Sequence, residues 1–203
     1  MSVQKLQVGL FATSYLPSIE YVTLLSKCYR FSIDENDVWK RQSLRNRTFI
    51  LSPNGVQMLT VPVCHPTTDK ILTKDIKISY DLPWIRTHKG ALEAAYNTSA
   101  FFDFFKDDLW AIFDKHPTHL VELNHEILKL LLSRFKLANK LSKIPPTENE
   151  ELKTLNAICN SSNNVPVLLD KTHFKSYPQV FSYKFDFMIN LSSLDLLSNK
   201  GVI

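Results

Sequence analysis

Leu6-Gln7-Val8-Gly9-Leu10-Phe11, followed by Tyr15-Leu16-Pro17-Ser18, then Ile19 to Cys28 and Tyr29 to Ile33, is the stretch from which the architecture can be read. The first six residues mix apolar side chains with β-formers over a strand's length. The proline-containing run that follows is a turn. Ile19, Val22 and Leu25 then recur at i, i+3 and i+6, the spacing of one helical face, before a second short β-rich run. The order is strand, helix, strand, and the right-handed crossover rule lays the two strands parallel.

Outward from that unit, Asn46 to Leu51 and Gln57 to Val63 flank Ser52-Pro53-Asn54-Gly55, a turn sequence that folds the two runs into a hairpin. Ile76 and Ile78 alternate as in a further extended segment. Pro83 opens a helix running to about Tyr96, since a missing N–H costs nothing in a first turn. Phe101, Phe102, Phe104, Phe105, Leu109, Trp110, Ile112 and Phe113 form an aromatic-rich helix, and Leu120, Leu123, Ile127, Leu130 and Leu131 mark a longer one. Between Ala138 and Asn164 the chain turns polar, with Pro145-Pro146 and an Asn/Ser run, and is expected to be a linker-like crossover. Order should return at Val165 to Leu169, and Leu191 to Leu197 is a last helix. The expected fold is α/β: one domain over residues 1–203, with a small mostly parallel sheet, an inserted β-hairpin and a following helical region; α+β is the alternative.

Composition excludes several functions. The 203 residues hold only 4 glycines, where average usage of about 7% would give roughly 14. None has the spacing of a Walker A loop or a Rossmann fingerprint, and no pattern calls for a cofactor. Against 20 Asp+Glu stand 24 Lys+Arg, a net charge of +4, too weak a field for a general nucleic-acid binder. Cys28, Cys64 and Cys159 form no C-x-x-C pair and no disulfide framework, which favours a reducing, cytoplasmic setting. No apolar run spans a bilayer, since even Leu128 to Leu132 is broken by Lys129.

The densest polar stretch runs from Asp34 to Arg47, where the second strand should end. Ligands of open α/β sheets bind outside the carboxyl ends of strands, and guanidinium forks match carboxylate and phosphate oxygens. Lys40, Arg41, Arg45 and Arg47 are therefore candidates for gripping an anion, with Trp39, Gln42 and Asn46 as pocket walls; a solvated loop of mutually paired charges is the competing reading. On the helix after Pro83, Trp84 and His88 stand at i and i+4, and His88 is the candidate proton carrier, given a partner to orient it. His119, Glu122 and Glu126 share a helical face, but His116 and His125 do not join them and H-E-x-x-H is absent, so no metal is expected. Neither a Cys64–His65 dyad nor a G-x-S-x-G elbow is supported.

Tyr15-Leu16-Pro17-Ser18-Ile19-Glu20-Tyr21, Lys40 to Arg47 and Leu59-Thr60-Val61-Pro62-Val63 follow one another in an order that resembles the WbqC-like family of bacterial proteins. The likeness continues through Ile76-Lys77-Ile78, Trp84 with His88, Ala94-Ala95-Tyr96, Phe101-Phe102, Asn124, Tyr177 to Phe181 and Leu191 to Leu197 with Gly201. The sequence departs from the family at Ser18, and at Ser198-Asn199-Lys200, where Phe-Asn-Glu is common. The resemblance implies a role in O-antigen or other surface-polysaccharide synthesis, transferring an acyl or aminoacyl group such as glycyl to an amino sugar. It carries over Tyr15, Tyr21, the Lys40 to Arg47 stretch, Trp84, His88 and Asp195 as site residues. The expected partner is a small anionic molecule, a nucleotide sugar or activated acyl donor. A non-catalytic module that binds an anion or a partner protein is the alternative, and self-association through Phe101 to Phe113 a further reading.

Overall fold

The computed structural model describes residues 8–64, 70–142, 152–154 and 175–201, the stretch 152–154 as backbone. Strand β1 (Val8–Ala12) leads through the Tyr15 turn into helix α1 (Ile19–Lys27) and back into β2 (Arg30–Asp34), which pairs parallel to β1. Ser18 caps α1, its hydroxyl accepting from the Tyr21 N–H. Gly9 is required by packing: a Cβ there would lie 2.4 Å from the Phe11 ring and 2.9 Å from Cys28 Sγ.

Strands β3 (Arg47–Ser52) and β4 (Gly55–Thr60) form the expected antiparallel hairpin, separate from the parallel sheet. Pro53 and Asn54 make its turn and Gly55 takes φ +103°, which a side chain would resist. Helix α2 (Trp84–Tyr96) begins after Pro83 and buries Trp84, His88, Leu92, Ala95 and Tyr96, one face at helical spacing. Then come α3 (Lys106–Asp114), α4 (Leu120–Arg134), β5 (Leu152–Thr154) and α5 (Ser193–Lys200). The sheet order is β2-β1-β5, all parallel, so β1 is the central strand. The fold is thus mixed, a small parallel sheet plus a hairpin with helices packed around a shared core.

Three elements differ from the reading of the sequence. The aromatic stretch is two pieces: a 3₁₀ turn at Phe102–Phe104 and α3, separated at Phe105, whose φ of −139° breaks the helical ladder. The Phe101 N–H is meanwhile held by the Ser198 carbonyl of α5, a tertiary bond that local spacing does not reveal. Ile76 and Ile78 do alternate inward, but their backbone partners are loop residues and the N-terminus of α4, so only single bridges form. The polar crossover of 138–164 contains β5, three residues too short to show a period. Leu6 and Gln7, His65, Pro145-Pro146, Cys159 and Val165 to Leu169 lie outside the described residues.

Candidate functional site

The loop after β1 leaves the carboxyl end of the central strand and is stitched in place by backbone bonds. Tyr15 N donates to Leu44 O at 3.0 Å, and the Leu16 carbonyl accepts from Thr48 Oγ1 at 2.8 Å and Ser192 Oγ at 3.1 Å. Leu16, fully buried, is held at φ +41°, a conformation costing a leucine about 1–3 kcal/mol that the surrounding bonds sustain. The result fixes Tyr15, whose hydroxyl lies 2.8 Å from His88 Nδ1 on α2.

Both side chains are buried, and burial acts on them in the same sense, favouring the uncharged forms. It pushes the Tyr15 hydroxyl well above its usual range and the His88 imidazole down to about 4, the Thr60 carbonyl opposing the latter shift in part. Near neutral pH the tyrosine keeps its proton and donates it to Nδ1, and the other ring nitrogen faces Thr60. His88 is therefore not the near-neutral titrating group that its residue type suggests. Trp84, one turn earlier, packs edge-on at 5.1 Å between ring centroids.

A cleft of about 460 Å³ opens beside this pair between β4 and the start of α2. Gln57, Met58, Thr60 and Pro62 form one wall and Leu82, Trp84, Thr87 and His88 the other. The Trp84 indole N–H is buried and has no acceptor among the described residues. This volume falls in the range of small-molecule sites, and its mixture of apolar walls with a few polar groups is theirs too.

The other residues named from the sequence are placed as follows. Arg45 is buried and tied to Asp37, its Nε 3.0 Å from Oδ2 and its Nη2 on the same oxygen, so this guanidinium is held in an internal ion pair. Its carbonyl accepts from Asn124 Nδ2 at 2.8 Å. Asn46 is buried and bridges to Val61, donating from Nδ2 at 2.9 Å. Arg47 lines, with Tyr15, Asn190 and Ser192, a void of about 10 Å³, room for one water. Lys40 and Arg41 are exposed on the preceding turn. Tyr21 stands in the core, donating to Ala12 O at 2.8 Å. Asp195 is buried between Tyr177, which donates to Oδ2 at 2.5 Å, and Gln179, whose Nε2 donates at 2.9 Å. Burial raises the Asp195 carboxyl above its usual value, the two hydrogen bonds working against that shift. The Tyr96 hydroxyl faces this carboxylate without closing a bond of good geometry, and Tyr96 sits eight residues beyond His88, about 12 Å along the axis of α2.

Tyr15, Trp84 and His88 thus converge, Arg47 joins Tyr15 at the small void, and Arg45 and Asp195 are engaged by other partners. Thr60, Gln57 and Thr87 were not singled out from the sequence, because a threonine or glutamine on a strand or helix carries no signal until the facing wall is known. Asp37, Tyr177 and Gln179 were likewise found only through their partners. Of the histidine and carboxylates on α4, Glu122 caps the helix, accepting from the His119 N–H at 3.0 Å, and Glu126 pairs with Lys115 and Lys129. Among the described residues no group of three His, Cys, Asp or Glu side chains could hold a metal ion, and no helix is long and apolar enough to cross a membrane.

A parallel strand–helix–strand unit and a docked hairpin define a small α/β protein, with a ligand-sized cleft between hairpin and helix beside a buried tyrosine–histidine pair. Residues 13–168 match the WbqC-like protein family, most of the chain, and the chain belongs to that family. It is 27% identical over 138 residues to Rv1507c of Mycobacterium tuberculosis, described as an uncharacterized protein; the match covers 67% of this chain and 59% of that relative. No solved structure matches it.

Proposed function

We propose that this WbqC-like protein is a cytoplasmic group transferase of bacterial surface-polysaccharide synthesis, moving an acyl or aminoacyl group, such as glycyl, from an activated donor onto the nitrogen of an amino sugar. The observation that carries the reading is the 2.8 Å Tyr15–His88 contact at the wall of a 460 Å³ cleft. In the transfer, the acceptor nitrogen bonds to the acyl carbon, the donor's bond to its oxygen or sulfur breaks, and the nitrogen's proton passes to His88 Nδ1, whose lone pair is freed when the Tyr15 hydroxyl turns away from it. With the imidazole held near 4, the protonated ring is a strong acid that returns the proton at once to the leaving group. Tyr15 orients the ring. The donor's negative charge would be met by the exposed Lys40 and Arg41, since Arg45 is engaged by Asp37.

The test is incubation of the protein with coenzyme A thioesters, aminoacyl adenylates and amino sugars, free and nucleotide-linked, with products read by mass spectrometry. Transfer that is lost in His88→Gln while ligand binding persists supports the reading. One observation favours a second reading, binding without chemistry: both ring nitrogens of His88 face protein atoms. A ligand that binds and is recovered unchanged with every acceptor would make that the better account.

A further inference from the structure

Strand β4 has an open edge, and the bonds around the hairpin show which groups lie on it. Val61 N donates to Asn46 O at 2.8 Å, continuing the hairpin ladder beyond β4, whereas the Phe49 carbonyl turns away from β4 and accepts from Ser192 N at 2.7 Å. Bonded pairs recur at every second residue of an antiparallel ladder, so Thr48–Leu59, Ile50–Gln57 and Ser52–Gly55 are the bonded ones. Val56, Met58 and Thr60 therefore point their N–H and C=O groups away from β3. His88 takes the Thr60 carbonyl. The outward groups of Val56 and Met58 have no hydrogen-bond partner among the described residues. Natural edge strands are commonly guarded by lysine, proline or a bulge. Gly55–Thr60 carries no charge and no proline, and Val56 and Met58 are 44% and 39% exposed. This edge runs along the cleft, with Gln57 to Thr60 on one side and Leu82, Trp84 and Thr87 on the other. Among the described residues the lining includes no Lys, Arg, Asp or Glu, so a charged side chain entering it would give up hydration with no opposite charge in return. The space is bounded on both sides and suits a single strand. A second copy's β4 would bring its own β3 into the place that α2 fills.

We propose that the open edge of β4 is a docking site for an extended, uncharged peptide segment of another protein, which adds beside Val56 and Met58 as a third strand of the hairpin. Backbone bonds to Val56 and Met58 supply the affinity and fix the register, while apolar side chains at alternate positions pack against Met58 and Leu82. The neutral lining selects against charged side chains at those positions. The inference goes beyond the transfer reading and does not need it.

The probe is a pool of acetylated, amidated hexapeptides in which threonine alternates with valine, leucine, methionine or phenylalanine, added to the intact protein at neutral pH. Amide hydrogen exchange followed residue by residue reads the edge directly. In the free protein the Val56 and Met58 amides should exchange fast, while those of Gln57 and Leu59, bonded within the hairpin, exchange slowly. The pool should slow Val56 and Met58 by about tenfold or more when peptide is in excess of its dissociation constant. Met58→Pro removes an outward N–H and spares the bonds to β3, so it should weaken binding by about tenfold or more. Should that variant fold poorly, Val56→Lys sets a guarding charge on the same edge and should weaken binding likewise. A pool with lysine in place of the apolar residues should bind at least about tenfold more weakly. Slow exchange of Val56 and Met58 in the free protein overturns the inference, since the edge would already be covered by a second copy or by another part of the chain. So does equal binding of the lysine pool, protection that spares both amides, or no binding at millimolar peptide. Peptide binding by a protein that transfers nothing keeps this inference and overturns the transfer reading, and transfer without peptide binding does the reverse.

Discussion

The state of His88 makes the strength of the fold depend on pH in a way that can be isolated. In the unfolded chain the imidazole has its ordinary value of 6.5, and in the folded protein burial brings it to about 4. Between those values the unfolded state binds the proton and the folded state does not, so protonation favours unfolding and stability rises with pH across the window. The contribution is fully present above pH 6.5 and is lost as pH falls toward 4. A shift of this size corresponds to about 3 kcal/mol, a large fraction of the stability of a domain this size. The variant His88→Gln cannot take up the proton, yet its amide can still accept from the Tyr15 hydroxyl. Urea unfolding of both proteins, followed by tryptophan fluorescence from pH 8 to pH 4, gives a difference curve in which other titrating groups cancel. The variant should fall below the natural protein by a constant amount at high pH and close that gap by about 3 kcal/mol as the pH is lowered. Parallel curves across the whole range would refute the argument, because the ring would then titrate alike in the folded and unfolded chains.

Gly9→Ala places a methyl group against the Phe11 ring and Cys28 Sγ, and should cost about 1–3 kcal/mol, seen as a lower melting temperature. Arg45→Ala strands Asp37 next to the core and should destabilise by about 3 kcal/mol or more in chemical unfolding, a structural effect present with or without ligand. For Asp195 the raised carboxyl value means that the folded state holds its proton to higher pH than the unfolded chain, so this group's contribution is present at acid pH and lost as pH rises through the folded value. Asp195→Asn keeps an oxygen for Tyr177 and Gln179 and should lie within about 1 kcal/mol of the natural protein at neutral pH, whereas Asp195→Ala leaves both donors unmet and should cost about 1–3 kcal/mol. Denaturation of the pair at neutral pH checks the order.

How much of this was legible in advance follows from the range of the interactions involved. The strand–helix–strand unit, the hairpin at Pro53-Asn54-Gly55 and α2 after Pro83 could be read because periodicity, turn chemistry and caps are local. Trp84 with His88 could be placed on one face for the same reason. The density of cations from Lys40 to Arg47 suggested a single anion grip, but charge along a chain does not say which groups face each other. Arg45 points inward to Asp37, eight residues earlier, while Lys40 and Arg41 point to solvent.

By itself the sequence determined the element types, their order and the family to which they belong, since each depends on neighbours within a turn or two or on motifs in series. Only the tertiary structure decided that Tyr15 would reach a histidine 73 residues away, that the ring would be held neutral and that the cleft beside it would be walled without charge. Burial and pairing are properties of what folds over a residue, and no spacing within a segment encodes them.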